Sequence, residues 1–210
     1  MYTPKEFALE SAAEAHALMR AHPFAILVTT TDSAPLATHL PTVLKADADR
    51  PLGRVECHVA RPNPQWRSLA RSEALIIFQG PEAYIRPGWY ASKAEHGKVV
   101  PTWNYAAVHA YGHLQVIEEE AWLIAHVTEL TDQQESPFPR PWATGDAPDA
   151  YLKQLARGIV GLALTITRLE GKAKMSQNRA QSDRAGVVRG LTERGHGDDA
   201  AIAELVARKG

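Results

Sequence analysis

Residues 24–44 read FAILVTTTDSAPLATHLPTVL, and this stretch decides which fold the chain adopts. Its first part, Phe24–Thr30, is an apolar run rich in β-branched residues and predicts a strand. A turn at Asp32-Ser33 separates it from a second predicted strand, Leu36–Leu44. Pro41 lies inside the second strand, and because proline donates no ladder hydrogen bond, we expect an edge, a bulge or an irregularity facing a ligand there. The stretch therefore predicts a β-hairpin with one unusual position.

Similar strand patterns recur along the chain, together with segments of helical periodicity. Further strands are predicted at Arg54–Ala60, Leu75–Gln79, Ala83–Arg86, Val108–Ile117 and Ile159–Leu169. Helices are predicted at residues 4–21, from Asn63 through Leu69, at Glu118–Glu135, at 149–157 and at 198–208. Loops are predicted at 45–53 and 87–105, and breaks at Gly80-Pro81 and Gly171. Many short strands with helices at the ends and one helical insertion indicate the α+β class, with a small β-barrel at the centre.

The composition is that of a globular protein. The 210 residues carry a formal charge of −1, from 23 basic and 24 acidic residues. The single cysteine, Cys57, excludes an internal disulfide, and its place within a strand predicts a buried, inert thiol. No apolar run approaches the ~20 residues of a membrane-spanning helix, and the first residues lack the pattern of a secretion signal. We therefore expect a cytoplasmic protein that does not coat nucleic acid through overall basicity.

The near-zero charge is a sum of opposed blocks. Residues 115–150 have a net charge of −7, and residues 151–194 have a net charge of +6. The basic block contains the donor-rich segment GKAKMSQNR at residues 171–179. We expect a phosphate or an acidic partner to be attracted there.

Four segments could carry chemistry, and three of them have a structural alternative. Residues 39–42 (HLPT) lie on a predicted strand. Residues 58–66 (HVARPNPQW) extend from a predicted strand to the N-terminus of a predicted helix. This N-terminus either binds phosphate or is an ordinary capped helix end with Trp66 in the core. Residues 100–105 (VPTWNY) form either a stacking platform or a packed loop. Residues 171–179 could grip an anion or the edge of a heterocycle, or cap a helix through Ser176.

A metal site is a less favoured interpretation. His109 and His113 share a strand face with Tyr111, and His39 and His58 lie on other predicted strands. Zinc and iron sites usually add a carboxylate or a thiolate, so structural histidines explain the pattern better and we predict no metal. The sequence also lacks a glycine-rich phosphate loop and a G-x-S-x-G elbow, and no catalytic residue is singled out.

Together these motifs resemble one family. Their order is that of PaiB-like proteins, which are described as FMN-binding negative transcriptional regulators, and the resemblance spans residues 1 to about 191. The motifs are Met1-Tyr2 with Pro4 and Phe7, His39-Leu40-Pro41, His58-x-Ala60-Arg61-x-Asn63-Pro64-x-Trp66, Gly80-Pro81, Tyr84-Ile85-x-Pro87-x-Trp89-Tyr90, Val100 to Tyr105, and Gly171-Lys172-x-Lys174-x-Ser176-Gln177-Asn178-Arg179.

The resemblance implies a split β-barrel related to pyridoxamine phosphate oxidases and flavin reductases, which bind flavin at the interface of a homodimer. It implies one FMN-binding domain at 1–191, with a helical insertion at about 118–157, and a variable helical tail at 192–210. Of the implied cofactor-binding residues, His39, Leu40, Pro41 and Thr42 would line the isoalloxazine, and His58, Arg61, Asn63 and Trp66 would lie at the ribityl-phosphate side. Lys174, Ser176, Gln177 and Asn178 would close the site from the partner chain, and Ala60, Trp103 and Asn104 complete the set.

Three functions stay open at this point. The family label implies a dimeric, FMN-binding negative regulator of transcription. One alternative is a flavin-dependent oxidase or reductase of an unidentified small molecule, with His39 or His58 as general acid or base. A less favoured alternative is a binder of haem or another planar ligand. DNA is a partner by the family label only, because the sequence has no recognisable helix-turn-helix and no net basic charge.

Overall fold

The first predicted strand has the predicted bounds, whereas the second begins one residue earlier and ends three residues later than predicted. A computed structural model describes residues 1–30, 34–47, 49–67 and 73–209. Strand β1 spans Phe24–Thr30 and β2 spans Pro35–Asp47, paired antiparallel from Phe24 opposite Pro41 to Thr30 opposite Pro35. Ala25, Leu27 and Thr29 of β1 are buried, which is the alternation expected of a strand with one face in a core. The predicted turn at Asp32-Ser33 lies outside the described residues.

Pro41 marks the position where β2 changes its partner. The strand pairs with β1 up to Pro41 and with the next strand from Thr42 onward. The backbone N–H and the hydroxyl of Thr42 both donate to the Pro23 carbonyl, at 2.9 and 2.8 Å. A proline fits this point because a strand leaving one ladder for another is irregular there, as the sequence predicted.

Six strands close into a barrel, which confirms the predicted fold class. The others are β3 (Arg50–Ala60), β4 (Ala74–Ile85), β5 (Thr102–Ile117) and β6 (Ile159–Lys174). Their order around the barrel is β1-β2-β3-β6-β5-β4. On β3, the side chains of Val55, Cys57 and Val59 are buried as predicted. Burial, reinforced by Glu56, raises the pKa of the Cys57 thiol to about 12, so this cysteine is chemically inert.

Six helices accompany the strands among the described residues. They are α1 (Ala12–Ala21), α2 (Ser92–His96), α3 (Glu120–Glu135), α4 (Asp149–Ala156), α5 (Gln181–Arg194) and α6 (Asp199–Arg208). Single turns of 3-10 helix occur at Lys5–Phe7, Pro64–Arg67, Pro87–Trp89 and Thr144–Asp146. Within the described part of the chain, every helix is too short or too polar to cross a membrane.

The chain forms two compact units. The insertion unit contains His16–Phe78 and His109–Leu169, and with them α3 and α4. The terminal unit contains Met1–Ala15, Gln79–Val108 and Glu170–Gly210, and with them α5 and α6. Strands β4, β5 and β6 contribute residues to both units.

The structure corrects several predicted boundaries. The predicted loop at 45–53 is mostly strand, because β2 reaches Asp47 and β3 begins at Arg50. The predicted loop at 87–105 contains α2, and β5 already begins at Thr102. The predicted helix beyond Asn63 is a single turn as far as it is described, and its continuation through Leu69 lies outside the described residues.

Long-range contacts explain three further corrections. The predicted helix at 4–21 is interrupted because Leu9 N donates to the Gly171 carbonyl at 3.0 Å. The same hydrogen bond stabilises the extended backbone at Gly171, so β6 continues to Lys174. A Cβ on Gly171 would lie 2.6 Å from Leu9 Cδ1, so the glycine makes room for this contact. Strand β4 continues through Gly80-Pro81, and the next backbone N–H, of Glu82, donates to the Asp198 carboxylate at 3.1 Å.

An aromatic side chain of helix α3 packs directly on the barrel. A Cβ on Gly161 of β6 would lie only 2.2 Å from Cζ3 of Trp122, so the ring packs directly on bare backbone. Gly161 is paired with His58 of β3. The missing side chain at residue 161 therefore fixes where α3 sits on β3 and β6.

We expect Gly161→Ala to destabilise the protein by about 1–3 kcal/mol, because the added methyl group overpacks the Trp122 contact. Urea denaturation measures the change. Thr165→Val, at an exposed position of the same strand, is the matched control and should stay within about 0.5 kcal/mol of the parent. Equal stability of Gly161→Ala and the parent would contradict the packing of Trp122 on this glycine.

Candidate functional site

The segment His39–Thr42 presents two side chains outward and two inward. His39 is exposed, and its ring lies 6.3 Å from that of Phe24 in a stacked arrangement. Leu40 and Thr42 are buried, and the Thr42 hydroxyl is bonded to the Pro23 carbonyl. Of these four sequence-predicted residues, His39 and Pro41 can therefore offer side chains to a ligand, whereas Leu40 and Thr42 can offer only backbone.

The outer face around His39 is apolar. Ile26 of β1 is paired with His39 on one side and with Ile77 of β4 on the other. Where β1 pairs with β2 and β4, the outward residues are partly or fully exposed and none of them is an acid, a lysine or an arginine. They are Phe24, Ile26, Val28, Thr30, Pro35, Ala37, His39, Pro41, Leu75 and Ile77. We call this set the β4-β1-β2 face. An antiparallel sheet usually turns one apolar face to a core and a polar face to water, so two apolar faces indicate that the outer one is covered.

His58 lies beside His126, which was not among the predicted site residues. Its Nδ1 is 3.1 Å from Nε2 of His126, which stacks on Trp122 at a centroid distance of 5.1 Å. Burial lowers the pKa of His58. Burial, with repulsion from His58 and Lys45, lowers the pKa of His126 to about 4. Both rings are therefore neutral at neutral pH, and helical spacing on α3 was the only sequence signal for His126.

Arg61 is occupied by the protein itself. Its guanidinium donates to the Arg157 carbonyl at 2.8 Å, to the Ile159 carbonyl at 3.0 Å and to the Glu118 carboxylate at 2.5 Å. The indole N–H of Trp66 donates to the Arg61 carbonyl at 3.0 Å. Both residues brace the segment after β3, and Ala60 beside them is exposed.

Asn63 belongs to a polar network whose centre is Gln65. The Asn63 amide donates to Thr38 Oγ1 at 3.0 Å, and its carbonyl oxygen accepts from the Gln65 backbone at 2.9 Å. The fully buried Gln65 amide donates to Thr29 Oγ1 and to the Leu36 carbonyl, both at 3.1 Å. This network ties the 3-10 turn to the first hairpin. Gln65 was not among the predicted site residues, although it lies within the segment 58–66 (HVARPNPQW).

Three cations converge in the terminal unit. The three are Lys172, Lys174 and Arg179. Burial lowers the pKa of Lys174 and repulsion from the other two cations lowers this pKa further, whereas Tyr105 raises it. Lys174 donates to Thr102 Oγ1, and Lys172 lies 5.1 Å from the Tyr105 ring centre. Among the described residues none of the three forms an ion pair. We call them the Lys172–Lys174–Arg179 cluster, and its unbalanced charge is suited to an anion.

The remaining predicted residues of this unit hold the segment after β6. Asn104 is fully buried and exchanges hydrogen bonds with Ser176 Oγ at 2.9 and 3.2 Å. Ser176 has a φ of +58°, an uncommon conformation for a residue other than glycine. The Gln177 amide donates to the Ala173 carbonyl at 2.7 Å, while Asn178 is exposed. The structure thus brings Asn104 and Ser176 together beside the cations.

Trp103 is half exposed and has its ring 5.9 Å from that of Tyr84, edge to face. Exposed tryptophan and tyrosine side chains provide flat apolar surface for a planar ligand. Among the described residues, no group of three or more histidine, cysteine or carboxylate side chains is arranged to hold a metal ion.

We expect the stability of the protein to fall as the pH is lowered from about 6.5 to about 4. His126 is neutral when folded and takes up a proton at about pH 6.5 when unfolded, so its contribution is complete above pH 6.5 and is lost at lower pH. The loss is about 3 kcal/mol. Urea denaturation across this range should show a shallower slope for His126→Leu. The exposed His113→Leu is the control, and parallel curves for His126→Leu and the parent would contradict the burial effect.

Comparisons with known proteins agree with these observations. Residues 1–168 match the family described as "Putative FMN-binding domain". The Bacillus subtilis protease synthase and sporulation protein PAI 2 is 33% identical over 210 residues, which cover 100% of this chain and 98% of the relative. An uncharacterized protein of Emericella nidulans is 36% identical over 228 residues, which cover 92% of this chain and 91% of the relative.

Solved structures share the fold at low identity. The flavocytochrome Anf3 from Azotobacter vinelandii has a TM-score of 0.56 and 15% identity, covering 85% of this chain and 75% of its own. The FAD and heme binding protein from Mycobacterium smegmatis has a TM-score of 0.55 and 16% identity, covering 80% of this chain and 73% of its own. The barrel is therefore that of flavin-binding split-barrel proteins, as predicted.

The residues present fit a flavin mononucleotide. The Lys172–Lys174–Arg179 cluster supplies charge for a phosphate, and the exposed Trp103 and Tyr84 rings suit a planar ring system. The match over 168 residues and the full-length similarity to PAI 2 carry the conclusion. This chain belongs to the PaiB-like family of FMN-binding split-barrel proteins, and FMN is its cofactor.

Proposed function

We propose that the protein is a homodimeric, FMN-dependent negative regulator of transcription, with the flavin at the subunit interface. The proposal of a dimer rests on the uncharged, apolar surface of the β4-β1-β2 face. Its central residue Ile26 is flanked by Ile77 and His39, and no lysine, arginine or acid interrupts the outward set. The core of a stable interface is depleted of charge in the same way.

A second copy of the chain is the occupant that this face favours. A two-fold dimer brings the same patch of each subunit together, and an uncharged apolar patch is self-complementary. The exposed His39 and Phe24 stand on the same face, so a flavin near His39 would lie at the subunit boundary. Lys174, Ser176, Gln177 and Asn178 would then be contributed by the second subunit.

The regulatory role rests on the family and on charge. The name of the Bacillus subtilis relative refers to sporulation, which favours control of gene expression over metabolism. Helices α5 and α6 form a helical hairpin, but α6 begins at Asp199 with Asp198 as its N-cap, and Asp199 is paired with Arg194 at 2.5 Å. An acidic start is unfavourable for a helix in a DNA groove. Regulation through a protein or small-molecule partner is therefore favoured over direct DNA binding.

We expect Lys174→Met to weaken FMN binding by about 10- to 100-fold, because a charged hydrogen bond to phosphate contributes about 1.5–3 kcal/mol. The affinity for riboflavin, which has no phosphate, should not change. Quenching of flavin fluorescence measures both affinities. Lys98→Met, at an exposed position of the same unit, is the control. An equal loss for FMN and riboflavin would remove Lys174 from the phosphate site.

We expect Ile26→Asp to convert the dimer into a monomer, because the substitution places a charge in the centre of an apolar interface. Sedimentation velocity measures the mass, and FMN titration of the same sample should show a parallel loss of affinity. Thr165→Asp places the same charge on an exposed position of β6 and should stay dimeric. A folded Ile26→Asp variant that remains a dimer would contradict the proposed interface.

Transcript profiling tests the regulatory function. Deletion of the gene should raise a defined set of transcripts, the parent gene should repress them again, and Lys174→Met should do so less well. Repression that is independent of flavin binding would contradict FMN-dependent control. A gel-shift titration with the regulated promoters gives a separate answer: a salt-sensitive complex at micromolar protein would show direct DNA binding.

A further inference from the structure

A cavity lies in the insertion unit, between α3, α4 and the barrel. Its volume is about 360 Å³, within the range of small-molecule sites. Its walls include Ile124 and Val127 of α3, Leu152 and Leu155 of α4, and Trp142 from the connection between these helices. We call it the α3–α4 cavity. Every lining residue is uncharged, and His58 is the only one that titrates.

His58 reaches this cavity because of the packing around Gly161. On β3 its side chain points outward, opposite to the buried Cys57 and Val59. Trp122 packs on Gly161, the residue paired with His58, and holds His126 beside the ring of His58. The bond between His58 Nδ1 and His126 Nε2 then fixes the orientation of the His58 imidazole. The remaining nitrogen, Nε2, has no hydrogen-bond partner among the described residues.

The hydrogen bond to His126 also determines which ring nitrogen of His58 carries the proton. His126 Nδ1 is buried and has no hydrogen-bond partner in the described part of the chain. A buried N–H without an acceptor is rarer than a buried acceptor without a donor, so we assign the His126 proton to Nε2, from which it donates to His58 Nδ1. His58 then carries its own proton on Nε2. The α3–α4 cavity is thereby a mainly apolar space with a fixed N–H donor on His58. Its other polar wall groups are the Thr131 hydroxyl, which donates to the Val127 carbonyl at 2.7 Å, the Thr144 hydroxyl, which is bonded to that of Thr128 at 2.9 Å, and the indole of Trp142.

We propose that the α3–α4 cavity binds a small, neutral, mainly apolar molecule that carries one acceptor oxygen, such as an aromatic ketone, with the oxygen on His58 Nε2–H. The apolar walls contribute affinity by burying hydrocarbon, and the His58 donor, whose ring is held by His126, selects the orientation. A charged ligand is disfavoured, since no lining residue compensates the loss of its hydration. This site is separate from the cation cluster assigned to FMN phosphate, and the proposal does not depend on the regulatory role.

Isothermal titration calorimetry of the full chain saturated with FMN tests the proposal. The probes are 2-acetylnaphthalene, the hydrocarbon 2-ethylnaphthalene and the anion 2-naphthoate. We expect one ketone per chain, with the hydrocarbon about five- to tenfold weaker because one net hydrogen bond is missing, and no binding of the anion. His58→Phe should reduce the affinity for the ketone to that for the hydrocarbon, and His58→Gln, which keeps an N–H donor, should restore part of it.

A filling substitution separates this cavity from the flavin site. Val127→Phe should weaken both neutral probes more than tenfold and leave FMN binding unchanged. Ala121→Phe, at an exposed position of the same helix, should leave both probes unaffected. The proposal is overturned if His58→Phe leaves the ketone affinity unchanged, if the ketone competes with FMN, or if 2-naphthoate binds more tightly than the ketone. It is also overturned if Val127→Phe remains folded and binds the ketone as the parent does.

Discussion

The arrangement of the insertion unit depends on the contact between the Trp122 ring and the bare backbone of Gly161. No side chain larger than hydrogen fits at residue 161, because its Cβ would lie 2.2 Å from the ring. This contact seats α3 on β3 and β6, and the same ring stacks on His126. His126 in turn holds His58. This close approach therefore helps to seat α3 and, through His126, orients the His58 ring in the wall of the α3–α4 cavity.

The charges of the protein are divided between structural and ligand-binding roles. Three of the eight acids of the 115–150 block form ion pairs within the insertion unit: Glu118 with Arg61, Glu120 with Arg157 and Glu129 with Lys45. In the basic 151–194 block, by contrast, the Lys172–Lys174–Arg179 cluster lies against the Tyr105 and Tyr90 rings and the Thr102 hydroxyl and forms no ion pair among the described residues, and only Arg179 is attracted by an acid, Asp183. Mutual repulsion of these cations is unfavourable in the protein alone and is relieved by an anion. The neutral total charge thus conceals an acidic block with internal ion pairs and a basic block whose cation cluster is suited to an anion.

Local patterns predicted the elements well and their ends less well. Strand β1 has the predicted bounds, and α3 and α6 begin within two residues of them, since apolar periodicity is a property of the segment alone. The continuity of β6 past Gly171 depends on Leu9, and the interruption of the first helix depends on the same contact. In a sequence pattern a glycine predicts the end of a strand, whereas in the fold Gly171 makes room for Leu9, which is distant along the chain. No local pattern contains that information.

The sequence by itself determined the family, the cofactor and the barrel. Long motifs such as HVARPNPQW and the alternation of apolar residues in strands are properties of consecutive residues, so they can be recognised without the fold. Only the tertiary structure decided what several motif residues do. Arg61 braces its own backbone neighbourhood, and His58 meets a histidine 68 positions away. The β4-β1-β2 face also exists only after three strands have paired. The physical reason is that the role of a polar side chain is set by the partner it reaches, and these partners are brought together by strand pairing and packing.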